Sequence, residues 1–238
     1  MAMLETHSNI TQILYKTAAV QASVKRLDGC QHDRPWLGLL CSQVYAGRYF
    51  MDSTDRLIDR FVEVLNSRGL EPLPGEEVPL ALRIGESAPA DWVDWKICPV
   101  PSNSWIAALE EKVPHPFPKL YRSLITRYRF AEFEVGPIMF FANTGQDVFH
   151  ELRNRMFIDP HLSPVLLKHG LLHFGQPFAG NYDSVCFDTR RASNGDAPIV
   201  CIDHEDILIR NGRITIVEEI APSCRNFVER AIDGELTT

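Results

Sequence analysis

The chain has 238 residues, of which 45% are hydrophobic and 23% charged, a composition typical of a soluble globular protein with one sizeable core and a smaller appendage. Its formal net charge of -7 argues against nucleic acid as the main partner, because nucleic-acid binders need a clustered basic surface. No window approaches about 18 consecutive apolar residues, and the N-terminus lacks the basic start and apolar block of a secretory signal. We therefore expect no membrane span and a cytoplasmic location.

Six cysteines are scattered along the chain without any Cys-x-x-Cys pair. Cys186 and Cys201 lie inside the apolar runs SVCF and IVCI, where a cysteine usually serves as a small buried side chain. The spacing therefore predicts reduced core thiols in a reducing compartment, and it argues against a disulfide framework or a zinc ribbon.

The first part of the chain carries three helical patterns. Apolar residues recur at helical spacing over residues 10–27, 35–45 and 52–68. The third pattern is the clearest, because Gly69 follows it as a stop signal. We therefore predict a helical N-terminal segment over residues 1–70.

A proline-rich stretch follows the helical segment. Residues 71–101 contain six prolines, which remove backbone donors and fix φ, so we predict an extended connector. Trp92 and Trp95 lie within it and alternate with acidic residues. We expect both to pack inside the protein, because large aromatic side chains usually end up buried; a use of both in partner binding is the alternative.

Residues 102–238 show a different pattern, in which helices alternate with strands. We predict helices in SWIAALEEKV, PFPKLYRSLITRYRF and SPVLLKHG, the last with Ser163 as its cap, and a closing helix in PSCRNFVERAI with Ser223 near its start. Strands are predicted in YDSVCFD, in APIVCID and on both sides of Gly136-Pro137. Long crossover helices are missing, so the fold class is α+β, with a mainly antiparallel sheet flanked by helices.

A hairpin is predicted near the C-terminus. Asn211-Gly212 separates two apolar arms in DILIRNGRITIV, and a type I′ turn needs positive φ at both central residues. The sequence therefore predicts an antiparallel hairpin over residues 207–217.

The common catalytic motifs are missing from the sequence. It contains no Gly-x-Gly-x-x-Gly, no P-loop and no Gly-x-Ser-x-Gly. His169 and His173 have the spacing of a zincin helix, but Gly170 stands where the general-base glutamate is required. We interpret His169 as a helix C-terminal residue, which the helix dipole favours.

One polar cluster remains, at Asp203, His204, Glu205 and Asp206 behind an apolar run. Asp203, His204 and Asp206 are a candidate ligand set for a divalent cation, with Glu205 as the base. On an extended segment, however, neighbouring side chains point to opposite faces, so only two groups would converge. The candidates for a third ligand are Asp183, Asp188 and His173, but nothing in the sequence places any of them near this segment. We favour the alternative, a polar turn between two core strands.

The order of several features over residues 102–235 carries a family resemblance. The features are Leu109-Glu110 in a helix, Pro118 and Tyr121 in the next helix, the apolar strand Ile138 to Ala142, Phe187-Asp188 ending a strand, Val200 to Glu205 leading into a polar turn, and Pro222-Ser223 opening a helix. This order resembles the SUKH superfamily, the Smi/Knr-like domain. Two departures are Phe117-Pro118, where the family usually has Leu-Pro, and Cys224, where it usually has an aromatic residue.

The resemblance implies a protein-binding domain without catalytic residues, cofactors or a metal. Bacterial members of the family are associated with immunity against polymorphic toxins, and fungal relatives act as regulatory scaffolds of cell-wall synthesis. We therefore expect a protein partner such as a toxin domain, no nucleic acid and no membrane. The alternatives are a metal-dependent hydrolase that uses the Asp203–Asp206 cluster and a regulatory scaffold that uses the tryptophans of the connector.

Six residues are candidates for binding the partner, because they bracket a predicted strand or begin the predicted hairpin and so line one rim of the sheet. Their alternative role is solvation and turn formation, which is usual for charged residues at strand ends. The candidates are Tyr182, Asp183, Asp188, Asp203, Glu205 and Asp206.

Overall fold

A computed structural model gives the structure of the protein. It describes residues 52–85, 91–100, 106–144, 150–157, 159–178 and 180–236. The helices predicted over residues 10–27 and 35–45 lie outside the described residues. The described residues belong to one compact unit.

The described residues contain seven α-helices and ten β-strands. The helices are α1 (Ser53–Arg68), α2 (Ile106–Glu110), α3 (Lys119–Arg127), α4 (His150–Phe157), α5 (Leu162–Lys168), α6 (His204–Ile209) and α7 (Cys224–Asp233). The strands are β1 (Leu73–Pro74), β2 (Trp92–Val93), β3 (Cys98–Pro99), β4 (Tyr128–Arg129), β5 (Phe133–Val135), β6 (Ile138–Phe140), β7 (Leu171–Pro177), β8 (Ser184–Asp188), β9 (Ile199–Ile202) and β10 (Ile216–Ala221). None of the described helices is both long enough and apolar enough to cross a membrane.

A six-stranded sheet forms the centre of this unit, in the order β10-β9-β8-β7-β6-β5. Every neighbouring pair in it is antiparallel. Two further pairs, β1-β2 and β3-β4, are short and separate. The α+β class with a mainly antiparallel sheet is therefore confirmed.

Helix α1 follows its sequence pattern closely. Asp52 caps its first turn by accepting a hydrogen bond from the backbone N–H of Thr54, and Gly69 ends it at a φ of +81°, a conformation that favours glycine. Its apolar stripe is buried. The Arg68 guanidinium donates to the carbonyl oxygens of Ala231 (2.9 Å) and Ile232 (3.0 Å), which ties the end of α1 to the end of α7.

The main core contains buried side chains from each of the three segments that the sequence predicts. Phe61 of α1, Val93 and Trp95 of the connector, and Phe227 of α7 belong to one cluster of buried side chains. The boundaries predicted at residues 70 and 101 therefore separate stretches of different sequence pattern that share a single core.

The two tryptophans of the connector have different environments. Trp95 is 3% exposed and its indole N–H donates to the carbonyl oxygen of Glu71, as expected for a buried anchor. Trp92 is 69% exposed, so the expectation that it packs inside the protein is wrong. Its strand β2 pairs with β1, and the register places it opposite Pro74.

Aromatic rings fill the centre of the main core. Phe174 of β7 and Phe187 of β8 stack with their centroids 3.9 Å apart, and Tyr121 of α3 packs against both rings. A second, smaller core lies around Leu166 and Ile207. Because the sheet strands contribute to both cores, β8 and β9 are buried along their whole length.

The cysteines that the structure describes are free, and three of them are buried, namely Cys186, Cys201 and Cys224. Burial raises the pKa of the Cys201 thiol to about 12. The prediction of buried, unpaired core thiols is confirmed for these three positions.

The predicted hairpin over residues 207–217 is wrong. Asn211 and Gly212 do adopt positive φ, at 55° and 77°, but they join helix α6 to β10. The preceding arm is helical because the Asp203 carboxylate caps it, accepting from the backbone N–H groups of Glu205 and Asp206. Strand β10 pairs with β9 instead.

Two other details differ from the sequence-based expectation. Ser163 lies inside α5, and Asp159 rather than Ser163 accepts the N–H bonds at the start of that helix. Helix α4 was not predicted. Ser223 caps α7 as expected, accepting from the N–H of Asn226.

Candidate partner-binding face

The start of β8 and the end of β9 meet at one end of the sheet. Their register pairs Ser184 with Ile202, so the residues before β8 lie next to those after β9. Five of the six candidate residues therefore lie near this end of the sheet: Tyr182, Asp183, Asp203, Glu205 and Asp206. Asp188 lies at the other end of β8, where it is paired with Leu171 of β7.

Asp183 and His204 are in direct contact. The Asp183 carboxylate lies 2.8 Å from Nδ1 of His204, and it also accepts from the His204 backbone N–H at 3.2 Å. Its second oxygen accepts from the side chain of Asn181. Tyr182 packs edge-on against the His204 ring at 6.0 Å, yet the residue is 81% exposed. The exposed Tyr182 ring therefore packs against an Asp183–His204 pair whose side chains are held by hydrogen bonds.

Asp203 and Glu205 belong to the first turn of α6. Asp203 is the helix cap, whereas Glu205 is exposed. Neighbouring side chains do not alternate between two faces in this segment, contrary to the prediction, because residues 204–209 are helical rather than extended. The polar turn predicted between two core strands is thus the beginning of a short helix.

Asp206 is a buried structural residue. Its carboxylate accepts from the Thr215 hydroxyl at 2.5 Å and pairs with Arg210 at 3.0 Å. These contacts hold α6 against the segment that precedes β10. The predicted ligand set of Asp203, His204 and Asp206 is therefore not brought together, since Asp206 is committed to Thr215 and Arg210.

Asp188 closes the opposite end of β8. The carboxylate is buried and accepts hydrogen bonds from the side chains of Arg190 and Arg191 at 2.8–3.0 Å. Burial works to raise the pKa of Asp188, but the hydrogen bonds from the two guanidinium groups outweigh it and hold the pKa below its ordinary value. These bonds support the turn Thr189–Arg191, which accounts for Asp188 structurally.

A different trio has the spacing of metal ligands. One ligand atom each from Asp183, Asp203 and His204 lies within 4.8 Å of the others. Carboxylate oxygen and imidazole nitrogen suit zinc or another transition metal. The same side chains already serve as a helix cap and as an Asp–His pair, so local structure accounts for their positions. Asp183 is thus the third member of this trio, where the sequence-based ligand set has Asp206.

Exposed apolar side chains surround this end of the sheet. They lie on α6 and on the edge strand β10, whose outer side pairs with no strand of the described residues. Ile209 is 75% and Val217 58% exposed. We use the name α6–β10 face for the region around these two elements, whose exposed apolar residues are Leu208, Ile209, Ile216 and Val217, with Tyr182 beside them.

The edge strand of this face is poorly covered. Residues 216–219 are exposed although their side chains alternate between the two faces of the sheet. Natural proteins usually protect edge strands with charge, bulges or covering elements. Here there are bulges in the pairing with β9, and Glu219 pairs with Arg191 at 2.6 Å. The sequence interpretation missed the face, because it placed residues 207–217 in a hairpin.

No protein-family model, no curated protein and no solved structure matches the chain.

Proposed function

We propose that the chain is a non-enzymatic protein-binding domain of SUKH type that holds its partner on the α6–β10 face. The observation that carries the proposal is the set of exposed apolar residues on α6 and on edge strand β10, whose outer side pairs with no strand of the described residues. Exposed apolar residues grouped on a folded domain often mark an interaction site, and a free strand edge offers backbone groups for pairing. Partner binding would bury both.

The partner class that we propose is a toxin domain, with the chain acting as its immunity protein in the cytoplasm. This part of the proposal is supported by the SUKH resemblance of the stretches that form β8, β9 and the start of α7. An immunity protein acts by occluding its toxin, so it needs complementary surface and charge rather than a reaction centre. A regulatory scaffold that uses the exposed Trp92 is the alternative within the same class of binding protein.

The binding proposal predicts the effect of placing charge on the face. Tagged full-length protein should retrieve one dominant partner from a lysate of its source, and Ile209→Glu or Val217→Glu should weaken binding of that purified partner at least about tenfold, since a buried charge opposes apolar contact. The matched control is Ile84→Glu, an exposed isoleucine of the connector. The measurement is titration calorimetry with the purified partner.

Three outcomes separate the proposals. A partner whose toxicity in cells is suppressed by the wild-type chain, and not by Ile209→Glu, supports immunity. Loss of binding in Trp92→Ala but not in Ile209→Glu favours the scaffold function. Equal binding by all variants would contradict the α6–β10 face.

A metal-dependent hydrolase is the second candidate function, and the observation that favours it is the Asp183–Asp203–His204 trio. Asp183 already contacts His204, and Asp203 already caps helix α6. We therefore expect titration of the full chain with Zn²⁺ or Mn²⁺ to give no saturable heat. Stoichiometric binding that is lost in Asp183→Asn would favour the hydrolase instead. Glu205→Gln, on the exposed side of α6, is the matched control.

A further inference from the structure

The opposite edge of the sheet borders a cavity of about 540 Å³, within the range of ligand sites. Edge strand β5 forms one wall together with the residues that flank it, and the end of α1 with the chain after it forms another. Leu236, near the C-terminus, completes the lining. This cavity is distant in topology from the α6–β10 face, because β5 and β10 are the two outer strands of the sheet.

The walls of the cavity combine apolar and charged side chains. Leu65, Phe133 and Val135 belong to the buried core where they line it, and Leu70 and Leu73 pack against that core as partly buried side chains. Trp95 fixes the position of Glu71, because its indole N–H donates to the Glu71 carbonyl oxygen at 3.0 Å. An aliphatic chain would therefore find contacts along the walls.

The charged side chains that line the cavity are one cation, Arg68, and three carboxylates, Glu71, Glu132 and Glu134. The Arg68 guanidinium is turned to the carbonyl oxygens at the end of α7, and Glu132 is paired with Arg155 at 2.5 Å. Glu71 and Glu134 have no cationic partner among the described residues. Partial burial and the nearby Glu71 raise the pKa of Glu134. A bound cation would offset both the burial and the repulsion from Glu71 that raise the pKa of Glu134.

Strand β5 also has a free edge. It pairs only with β6, in a register that sets Glu134 opposite Met139, and no strand of the described residues pairs with its other side. An extended peptide can add to such an edge through backbone hydrogen bonds. A positively charged residue of that peptide opposite Glu134 would form a favourable cross-strand pair.

We propose that this cavity binds an extended, basic segment of a partner protein, whose backbone lies along β5 and whose Lys or Arg side chain reaches Glu71 and Glu134. The aliphatic stem lies on the apolar side chains of the walls while the charged head meets the carboxylates. The identity of the occupant as a protein rests on the proposed function. The complementarity to an organic cation does not rest on it.

The test uses the full chain and the peptide acetyl-Val-Arg-Val-Arg-Val-amide, with binding measured by calorimetry and by tryptophan fluorescence. We expect saturable binding that weakens as NaCl is raised. The double variant Glu71→Gln with Glu134→Gln should bind the peptide about tenfold more weakly, the loss expected for charge-assisted hydrogen bonds. Glu76→Gln with Glu77→Gln is the matched control, because both residues are exposed and lie outside the cavity lining.

Several outcomes would overturn the proposal. These are equal binding by the two double variants, equal binding of the peptide with Gln in place of Arg, and undiminished binding of a peptide with N-methylated backbone amides, which cannot pair with β5. Binding of spermidine in place of the peptide would indicate a free polyamine as the occupant.

Failure of this proposal and failure of the proposed function can be told apart. Ile209→Glu should leave peptide binding unchanged. If the Arg peptide does not bind while Ile209→Glu still abolishes partner capture, the cavity proposal fails and the α6–β10 face stands. Thermal unfolding of each variant checks that it is folded.

Discussion

Replacing Phe174 by alanine is expected to lower the free energy of unfolding by about 3–5 kcal/mol, the loss typical of a large aromatic side chain removed from a core. Phe174 is fully buried in β7 and stacks on Phe187 with centroids 3.9 Å apart. Tyr121 packs on the same ring at 5.3 Å. The measurement is guanidinium-induced unfolding followed by circular dichroism, with the midpoint and the slope fitted together.

The control for this substitution lies just beyond the same strand. Phe178 is 45% exposed, so Phe178→Ala should change stability by less than about 0.5 kcal/mol. If Phe174→Ala prevents folding, Phe174→Leu should still show a smaller loss of about 1–2 kcal/mol. Equal losses for Phe174→Ala and Phe178→Ala would contradict the core that the structure describes.

The second large effect concerns the pH dependence of stability. Burial lowers the pKa of His173 to about 4, whereas an unfolded histidine titrates near pH ~6.5. Nearby Arg155 lowers the pKa further, while a backbone hydrogen bond at Gly175 and the charge of Asp159 oppose the shift. The edge-on contact with Phe141 and a buried Nε2 without a hydrogen-bond partner agree with a neutral ring.

The sign of the effect follows from proton binding. Between pH 6.5 and 4 the unfolded chain protonates this histidine and the folded chain does not, so stability falls as the pH falls. A shift of this size corresponds to about 3 kcal/mol across that window. His173→Gln should flatten the slope of unfolding free energy against pH, whereas Phe178→Ala, an exposed position without a titratable group, should leave the slope unchanged. Parallel curves for wild type and His173→Gln would contradict the prediction.

Local patterns predicted most of the elements but not every conformation. The helical stripe of α1, the break at Gly136-Pro137 and the cap at Ser223 depend on neighbouring residues, and the structure has each of them. The stretch before Asn211 was misassigned because a short apolar run fits a strand and a helix equally well. Its conformation is decided by the cap at Asp203, a contact that the hairpin interpretation left out.

The candidate site depends on contacts between distant residues. Asp183 meets His204 only because β8 and β9 pair in a particular register, and a single sequence does not reveal that register. The same holds for the cavity at β5, since Leu65, Trp95, Glu134 and Leu236 come from four separate stretches of the chain. Local spacing carries no sign of either arrangement.

The contact between Arg68 and the end of α7 constrains when the core can close during synthesis of the chain. Arg68 and Ala231 are 163 positions apart, so during translation α1 leaves the ribosome long before the carbonyl groups that it binds have been synthesised. The part of its apolar stripe that packs against α7 must stay exposed, or be sheltered by a chaperone, until α7 emerges. Refolding of the full chain should therefore be slower than its helical content suggests, because the first and last described helices close the core together.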